Sequence, residues 1–269
     1  MITNELFESA VAITREAGAT IMGFYQGAFE VQEKSPSNPV TDADFAADQL
    51  LRTKLMALLP EAGWLSEETV DSPERLEKEY IWIVDPLDGT KEFVYGIPEF
   101  SVSVALVQNG LPILGIIYNP VTEELFTAQK GGGLYVNGQK QTASSRTKLE
   151  GAQVEASRSE RKRGEFEPFE ELVNLLTMGS IAYKLARTAA GLADATWSRG
   201  PKHEWDICAG VILVEEAGGR CVDLDNATFT FNKSFPKVNG IIADNGHLHD
   251  EVITTLAPHR HTARVDKKK

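Results

Sequence analysis

The sequence predicts a mixed α/β protein of the α+β kind, and three observations carry that expectation. Two amphipathic helical stretches open the chain, a run of strands joined by Asn-Gly turns follows, and strands alternate with helices beyond residue 150. Hairpin-linked strands after two helices do not make a doubly wound parallel sheet, so the expected architecture is layered. No internal repeat interrupts this plan.

The elements follow in order. Thr3 or Asn4 can cap a first helix that puts Leu6, Ala10, Ile13, Ala17, Ile21 and Phe24 on one face, and Gly27 with the polar stretch 33–39 ends it. Thr41-Asp42-Ala43-Asp44 has the spacing of a capping box, opening a helix whose buried stripe is Ala47, Leu51, Leu55 and Leu58. Pro60 and Gly63 close it. A short apolar stretch then leads to Glu67-Glu68, and the charged residues 71–79 read as an exposed loop. Residues 80–84 have the length and β-branched content of a buried strand, and Pro86, lacking an N–H, is expected to end its ladder at Asp85. Residues 101–107, 113–118, 125–128 and 134–136 form an antiparallel meander, with hairpin signals at Asn109-Gly110 and Asn137-Gly138. Three successive glycines, 131–133, precede no helix and are therefore no nucleotide loop.

The polar stretch 139–150 marks a boundary between an N-terminal subdomain, 1–145, and a C-terminal one, 146–269. Beyond it the sequence predicts a strand at 154–157, a helix at 169–176, a helix from Ser180 to Ala190 stopped by Gly191, and a strand at 193–197. A helix over 205–217 is apolar nearly all round, hence buried, and a strand-like stretch at 220–224 follows.

Composition narrows the function. Hydrophobic residues make up 42% and charged residues 25% of the 269, as in ordinary globular proteins. A formal charge of −12 disfavours a nucleic-acid polymer as partner, since phosphate backbones reward the opposite sign. It leaves room for a small anionic substrate if metal ions supply local positive charge. Cys208 and Cys221 form neither a disulfide framework nor a metal-ligand spacing. No apolar run is long enough to span a bilayer and no basic leader opens the chain, so a cytoplasmic enzyme is expected, with a disordered polar tail from His259.

The chemistry concentrates at residues 82–90, Trp-Ile-Val-Asp-Pro-Leu-Asp-Gly-Thr. Two carboxylates three residues apart leave a strand end, and Gly89 lets backbone amides approach a ligand closely. Carboxylate oxygens suit Mg²⁺, while turn amides and the Thr90 hydroxyl suit phosphoryl oxygens. Asp206, at the mouth of an apolar helix, needs a partner for its charge, and a metal would serve. Metal-acidified water makes a histidine base unnecessary, and no cysteine sits in a plausible nucleophile loop. Direct attack by such water is favoured over a covalent phospho-enzyme, with Asp88 left open as a nucleophile.

Glu67-Glu68, the 85–90 motif, Glu204-Trp205-Asp206-x-x-Ala209-Gly210 and Glu216-Ala217-Gly218-Gly219 together resemble the inositol monophosphatase superfamily of lithium-sensitive phosphatases. Residues 40–44 fit its upstream acidic motif. The resemblance implies a layered α/β/α/β/α sandwich and a Mg²⁺-dependent phosphomonoesterase holding two to three ions. It implies Glu67, Asp85 and the Leu87 carbonyl as ligands of one ion, Asp85, Asp88 and Asp206 as ligands of a second, and Glu67 reaching a looser third. Gly89 and Thr90 amides would receive phosphate, and Asp44 and Thr90 would relay a proton as water is activated, with Glu67 assisting.

Within the superfamily, Lys91-Glu92-Phe93 after Thr90 and Ala156-Ser157-Arg158-Ser159 resemble the 3′(2′),5′-bisphosphate nucleotidases, although Glu160 stands where they carry histidine. Arg199 is expected at the rim of the cavity on a second phosphate, with Lys91, Asp88 and Ser180 also facing substrate. Hydrolysis of 3′-phosphoadenosine 5′-phosphate is therefore the leading expectation, by a monomer or homodimer. Inositol 1-phosphate or a broad range of sugar phosphates is the alternative. A catalytically silent metal- or phosphate-binding homologue is the reading from another class.

Overall fold

The computed structural model describes residues 2–27, 29–35 and 38–260. The basic tail beyond residue 260 and positions 36–37 of the polar stretch lie outside them. Helix α1 (Asn4–Met22) is capped by the Thr3 hydroxyl, and a hairpin of β1 (Val31–Ser35) and β2 (Asn38–Thr41) leads into α2 (Asp42–Leu58). The expected capping box is present: Thr41 caps α2 and Asp44 returns to the Thr41 amide.

The described residues then build a seven-stranded sheet in chain order: β3 (Gly63–Ser66), β4 (Tyr80–Asp88), β5 (Ser101–Gln108), β6 (Leu111–Asn119), β7 (Glu124–Gln129), β8 (Gly133–Val136) and β9 (Gln139–Gln141). β3 lies parallel to β4, and every later neighbour is antiparallel. Both Asn-Gly pairs are hairpin turns with positive φ at each residue, 49° and 80° at Asn109-Gly110 and 48° and 78° at Asn137-Gly138. The amides of Gly131 and Gly133 do bind an anion, but it is the chain's own Glu216 carboxylate.

A second sheet has the order β11-β10-β12-β16-β14, formed by β10 (Gln153–Ala156), β11 (Asn174–Thr177), β12 (Ala195–Ser198), β14 (Arg220–Val222) and β16 (Ile241–Asp244). The short pair β13 (Lys202–His203) and β15 (Lys237–Val238) stands apart. Helices α3 (Thr90–Val94), α4 (Arg158–Lys162), α5 (Ile181–Ala189), α6 (Glu204–Glu216) and α7 (His249–Leu256) complete the chain.

Strand alternation sorts the side chains into three cores. On β4, Trp82 and Val84 face α1 and α2, whereas Ile81 and Ile83 face α5 and α6. On the second sheet, Cys221 and Ala243 join that same central core, whereas Trp197 and Ile242 pack outward on Phe166, Phe169 and α7. The layers therefore read helix, sheet, helix, sheet, helix, as the resemblance implies. α6 is buried on all sides between the sheets, in keeping with its lack of a polar face.

Three expectations need correction. Residues 169–176 are not a helix: a 3₁₀ turn over Glu167–Phe169 gives way to β11, which pairs in parallel with β10 at Val154↔Leu175. Phe169, Leu172, Val173 and Leu176 have helical spacing, but the open edge of β10 takes residues 174–177 as a strand instead. Pro86 does not end the ladder of β4, because a register shift between Asp85 and Asp88 absorbs it before pairing resumes at Asp88↔Ser101. The charged segment 71–79 is not wholly exposed, since Arg75 within its 3₁₀ turn Pro73–Glu77 is buried.

Candidate active site

The site forms where β3 and β4 end beneath the first turn of α6. The parallel register Ser66↔Val84 carries Glu67 alongside Asp85, and the Glu67 amide bonds the Val84 carbonyl at 3.3 Å. Asp206 arrives from the first turn of α6, where it accepts a hydrogen bond from the His203 amide at 2.8 Å. Carboxylate oxygens of Glu67, Asp85 and Asp206 all lie within 4.8 Å of one another.

Burial without neutralisation shapes their acidity. Asp85 is raised well above the ordinary carboxylate range, first by desolvation and then by the charges of Glu67, Asp88, Asp206 and Glu68. Asp206 is pushed up to about 8 by burial, with Asp88 and Glu67 adding to the effect. Asp88 is raised by burial too, against hydrogen bonds to its Oδ2 from the Ser180 hydroxyl and the Ala182 amide, both at 2.6 Å. An all-oxygen cluster with this much uncompensated negative charge fits hard divalent cations.

The turn after β4 is fixed by its own backbone. The Leu87 amide donates to Asp85 Oδ1 at 3.0 Å, and the Leu87 carbonyl accepts from the Thr90 hydroxyl at 3.1 Å. Gly89 sits at φ 102°, and a Cβ there would meet the Glu99 carbonyl at 2.9 Å. Thr90 opens α3 and its hydroxyl also donates to Asp44 Oδ1 at 3.0 Å, bringing α2 and the β4 turn together. One turn later on α2, Asp48 accepts from the hydroxyls of Ser66 and Thr69, which bracket Glu67-Glu68.

A cavity of about 430 Å³ opens over these groups, with Glu67, Leu87, Asp88, Gly89, Thr90 and Asp206 on its wall. Lys91 and Ser180 also line it, so every expected site residue but Asp44, Asp85 and Arg199 is on its wall, and Asp44 is tied to it through the Thr90 hydroxyl. Asp85 lies buried beside the lining residues, joined to them through the Glu67 and Asp206 carboxylates. Arg199 is the real exception. Its guanidinium donates to the backbone carbonyls of His259 at 2.8 Å and Glu165 at 2.7 Å. Ser198, the last residue of β12, turns its hydroxyl to Glu160 in the cavity wall, and Arg199, just past the strand, turns instead to the Glu165 and His259 carbonyls.

Cations that the sequence reading missed, or weighed only lightly, occupy the wall instead. Lys184, almost fully buried on α5, pairs with Glu160 at 3.1 Å, and Lys202 lines the cavity from β13. Glu160 is held far below the usual carboxylate range by Lys184, Lys202 and the Ser198 and Ser157 hydroxyls, which outweigh its burial. Arg158 lines the same wall in a two-pronged contact with Glu99, at 2.5 and 3.0 Å. The signal for Lys184 was its place four residues after Ser180, facing inward on a helix of otherwise apolar burial. Asp48 and Arg75 gave no comparable signal.

The comparisons with known proteins agree with this geometry. A family model described as "Inositol monophosphatase family" matches residues 3–261. An inositol-1-monophosphatase of Mesorhizobium japonicum is 38% identical over 73% of this chain and 76% of its own length. The 3′(2′),5′-bisphosphate nucleotidase CysQ of Aggregatibacter actinomycetemcomitans is 33% identical over 89% of this chain and 92% of its own. The crystal structure of the extragenic suppressor protein suhB from Bartonella henselae superposes with a TM-score of 0.84 at 31% identity, covering 95% of this chain and 100% of the other. Members of the family are phosphatases that use divalent metal ions, and the acidic cluster described above is of the kind such ions require. The chain belongs to the inositol monophosphatase family.

Proposed function

We propose that the protein is a Mg²⁺-dependent, lithium-sensitive phosphomonoesterase that removes the 3′-phosphate of 3′-phosphoadenosine 5′-phosphate. The observation that carries this reading is that one cavity gathers the acidic cluster together with Lys91, Arg158, Lys184 and Lys202, of which Lys184 and Arg158 are paired with Glu160 and Glu99. Glu67, Asp85 and the Leu87 carbonyl would hold one ion, and Asp85, Asp88 and Asp206 a second. Bound divalent cations supply charge stabilisation to a phosphoryl group and acidify water.

The chain's own groups do the rest. Gly89 and Thr90 line the cavity and their backbone amides receive phosphoryl oxygens, in a turn whose positive φ and close packing on Glu99 and Phe100 need Gly89. The Thr90 hydroxyl, hydrogen-bonded to Asp44, takes a proton from the attacking water and passes it toward the carboxylate. Lys184, Lys202 and Lys91 meet the phosphate that is not cleaved, the part first assigned to Arg199. Tyr95, 77% exposed at the mouth, offers a ring to the base.

Inositol 1-phosphate is the second reading, favoured by the name of the Mesorhizobium japonicum relative. That substrate carries one phosphate and leaves Lys184 and Lys202 with Glu160 alone. The location proposed is cytoplasmic; no helix among the described residues is long and apolar enough to cross a membrane. Initial rates on 3′-phosphoadenosine 5′-phosphate, inositol 1-phosphate and fructose 1,6-bisphosphate at equal Mg²⁺ test the assignment. The nucleotide is expected to give the highest kcat/KM by tenfold or more, and a preference for inositol 1-phosphate would overturn it.

A further inference from the structure

Two of the carboxylates proposed to hold cations come from distant parts of the chain: Glu67 follows β3 and Asp206 opens α6. Like charges this close repel, so something must set their separation. A hydrogen-bonded path outside the cavity joins the two segments. Its centre is Arg75, whose side chain is 1% exposed.

Nε and Nη2 of Arg75 donate to the two oxygens of Asp71, at 2.6 and 2.9 Å, four residues beyond Glu67. Nη1 donates to Asn232 Oδ1 at 2.5 Å, and Nη2 also donates to the Lys233 carbonyl at 2.9 Å. Asn232 returns its Nδ2 to the Arg75 carbonyl at 3.1 Å. The amides of Asn232 and Lys233 then donate to Oε2 and Oε1 of Glu204, at 2.6 and 3.1 Å. Glu204 is fully buried in the first turn of α6, two residues before Asp206.

A guanidinium is planar, and its donors leave in fixed directions, so this path fixes geometry as well as charge. A lysine would keep the charge and lose the fork. Around the same turn, Asp48 holds Ser66 and Thr69, which leaves the Glu67 backbone little freedom.

We propose that Arg75 is a positioning residue that sets the Glu67–Asp206 separation, and with it the affinity for divalent cations, through Asn232 and Glu204. The inference rests on the reading of the acidic cluster as a cation site. Partners in direct contact with metal ligands shift metal affinity by about 10- to 100-fold when altered, and Arg75 acts at a further remove, which sets the expected effect at about tenfold or somewhat less.

The test is calorimetric titration of Mg²⁺ alone into the wild type, Arg75→Lys and Asn232→Gly, with thermal unfolding in chelator alongside. Asn232→Gly deletes the carboxamide but keeps the backbone amide and tolerates the φ of 65° at that position. Both variants are expected to bind Mg²⁺ about fivefold to tenfold more weakly than the wild type. The Mg²⁺ concentration for half-maximal activity should rise by the same factor, and kcat at saturating Mg²⁺ should stay within about twofold. Wild-type Mg²⁺ affinity in both variants, with only a lower Tm, overturns the inference and leaves Arg75 a structural tie. A wild type that takes up no Mg²⁺ overturns the cation reading and the inference together.

Discussion

The Thr90 hydroxyl donates to Oδ1 of Asp44 at 3.0 Å, while Oδ2 of the same carboxylate accepts the Thr41 amide and hydroxyl, each at 2.7 Å. One side chain caps α2 and faces the phosphate-binding turn at the same time. The two roles use different oxygens, and an amide can serve only one of them as acceptor. Asp44→Asn, with its carbonyl oxygen turned to Thr41, is therefore expected to keep the cap and change stability little. It should lower kcat by roughly 10²- to 10⁴-fold through the lost proton acceptor. Thermal unfolding and steady-state kinetics separate the two, and an unchanged kcat would remove Asp44 from the mechanism.

Gly89 tests whether the turn must approach substrate by its backbone. At φ 102°, with a new Cβ 2.9 Å from the Glu99 carbonyl and 3.0 Å from Phe100 Cβ, Gly89→Ala is strained by both conformation and packing. The conformational part alone is about 1–2 kcal/mol. The variant is expected to show a lower Tm and a larger loss in kcat/KM than that destabilisation explains. Wild-type kinetics in Gly89→Ala would show that the backbone geometry of the turn does not matter to the reaction.

Arg199 and Lys202 are expected to behave oppositely. Arg199 holds backbone carbonyls of Glu165 and His259 away from the cavity, so Arg199→Ala should lower stability by about 1–3 kcal/mol and leave KM unchanged. Lys202 lines the cavity, so Lys202→Met should raise KM for 3′-phosphoadenosine 5′-phosphate by about tenfold with kcat nearly constant. KM values and melting temperatures for the pair check this, and the reverse pattern would return Arg199 to the substrate.

The acidic cluster makes the stability of the metal-free protein depend on pH in a fixed direction. Asp85 and Asp88 titrate above their ordinary range in the folded chain, and Asp206 near 8, all chiefly through burial. Unfolded aspartate titrates at about 3.9. A raised folded value means that the native state binds more protons, so stability is greatest below about pH 4 for these groups and is lost as pH rises toward 8. Melting curves in chelator should fall between pH 5 and 8, and saturating Mg²⁺ should flatten that fall. A Tm that rises with pH in chelator, or a fall unaltered by Mg²⁺, would contradict the cluster's role.

Much of this was legible in local sequence because the governing interactions are local. The Thr41–Asp44 box, both Asn-Gly hairpins and the all-apolar α6 are set by residues within a few positions of one another. What was not legible depends on partners far along the chain. Residues 174–177 became a strand because β10 offered an edge, and Arg75 is buried by residues 157 and 158 positions away. Arg199 was misplaced for a simpler reason: proximity to Asp206 in sequence says nothing of which way a side chain turns past β12, and Ser198 already reaches the cavity wall. Pro86 was read as a stop because a bulge cannot be seen from one strand alone.

The most direct test of the whole account is phosphate release from 3′-phosphoadenosine 5′-phosphate across a Mg²⁺ titration, for the wild type and Asp206→Asn. The isosteric amide keeps the first turn of α6 packed but withdraws one charge and one ligand oxygen from the cluster. The account predicts no release without Mg²⁺, saturable activation in the wild type, and activation in Asp206→Asn that needs at least about tenfold more Mg²⁺. Wild-type turnover by Asp206→Asn at low Mg²⁺, or release that ignores Mg²⁺ altogether, would contradict it.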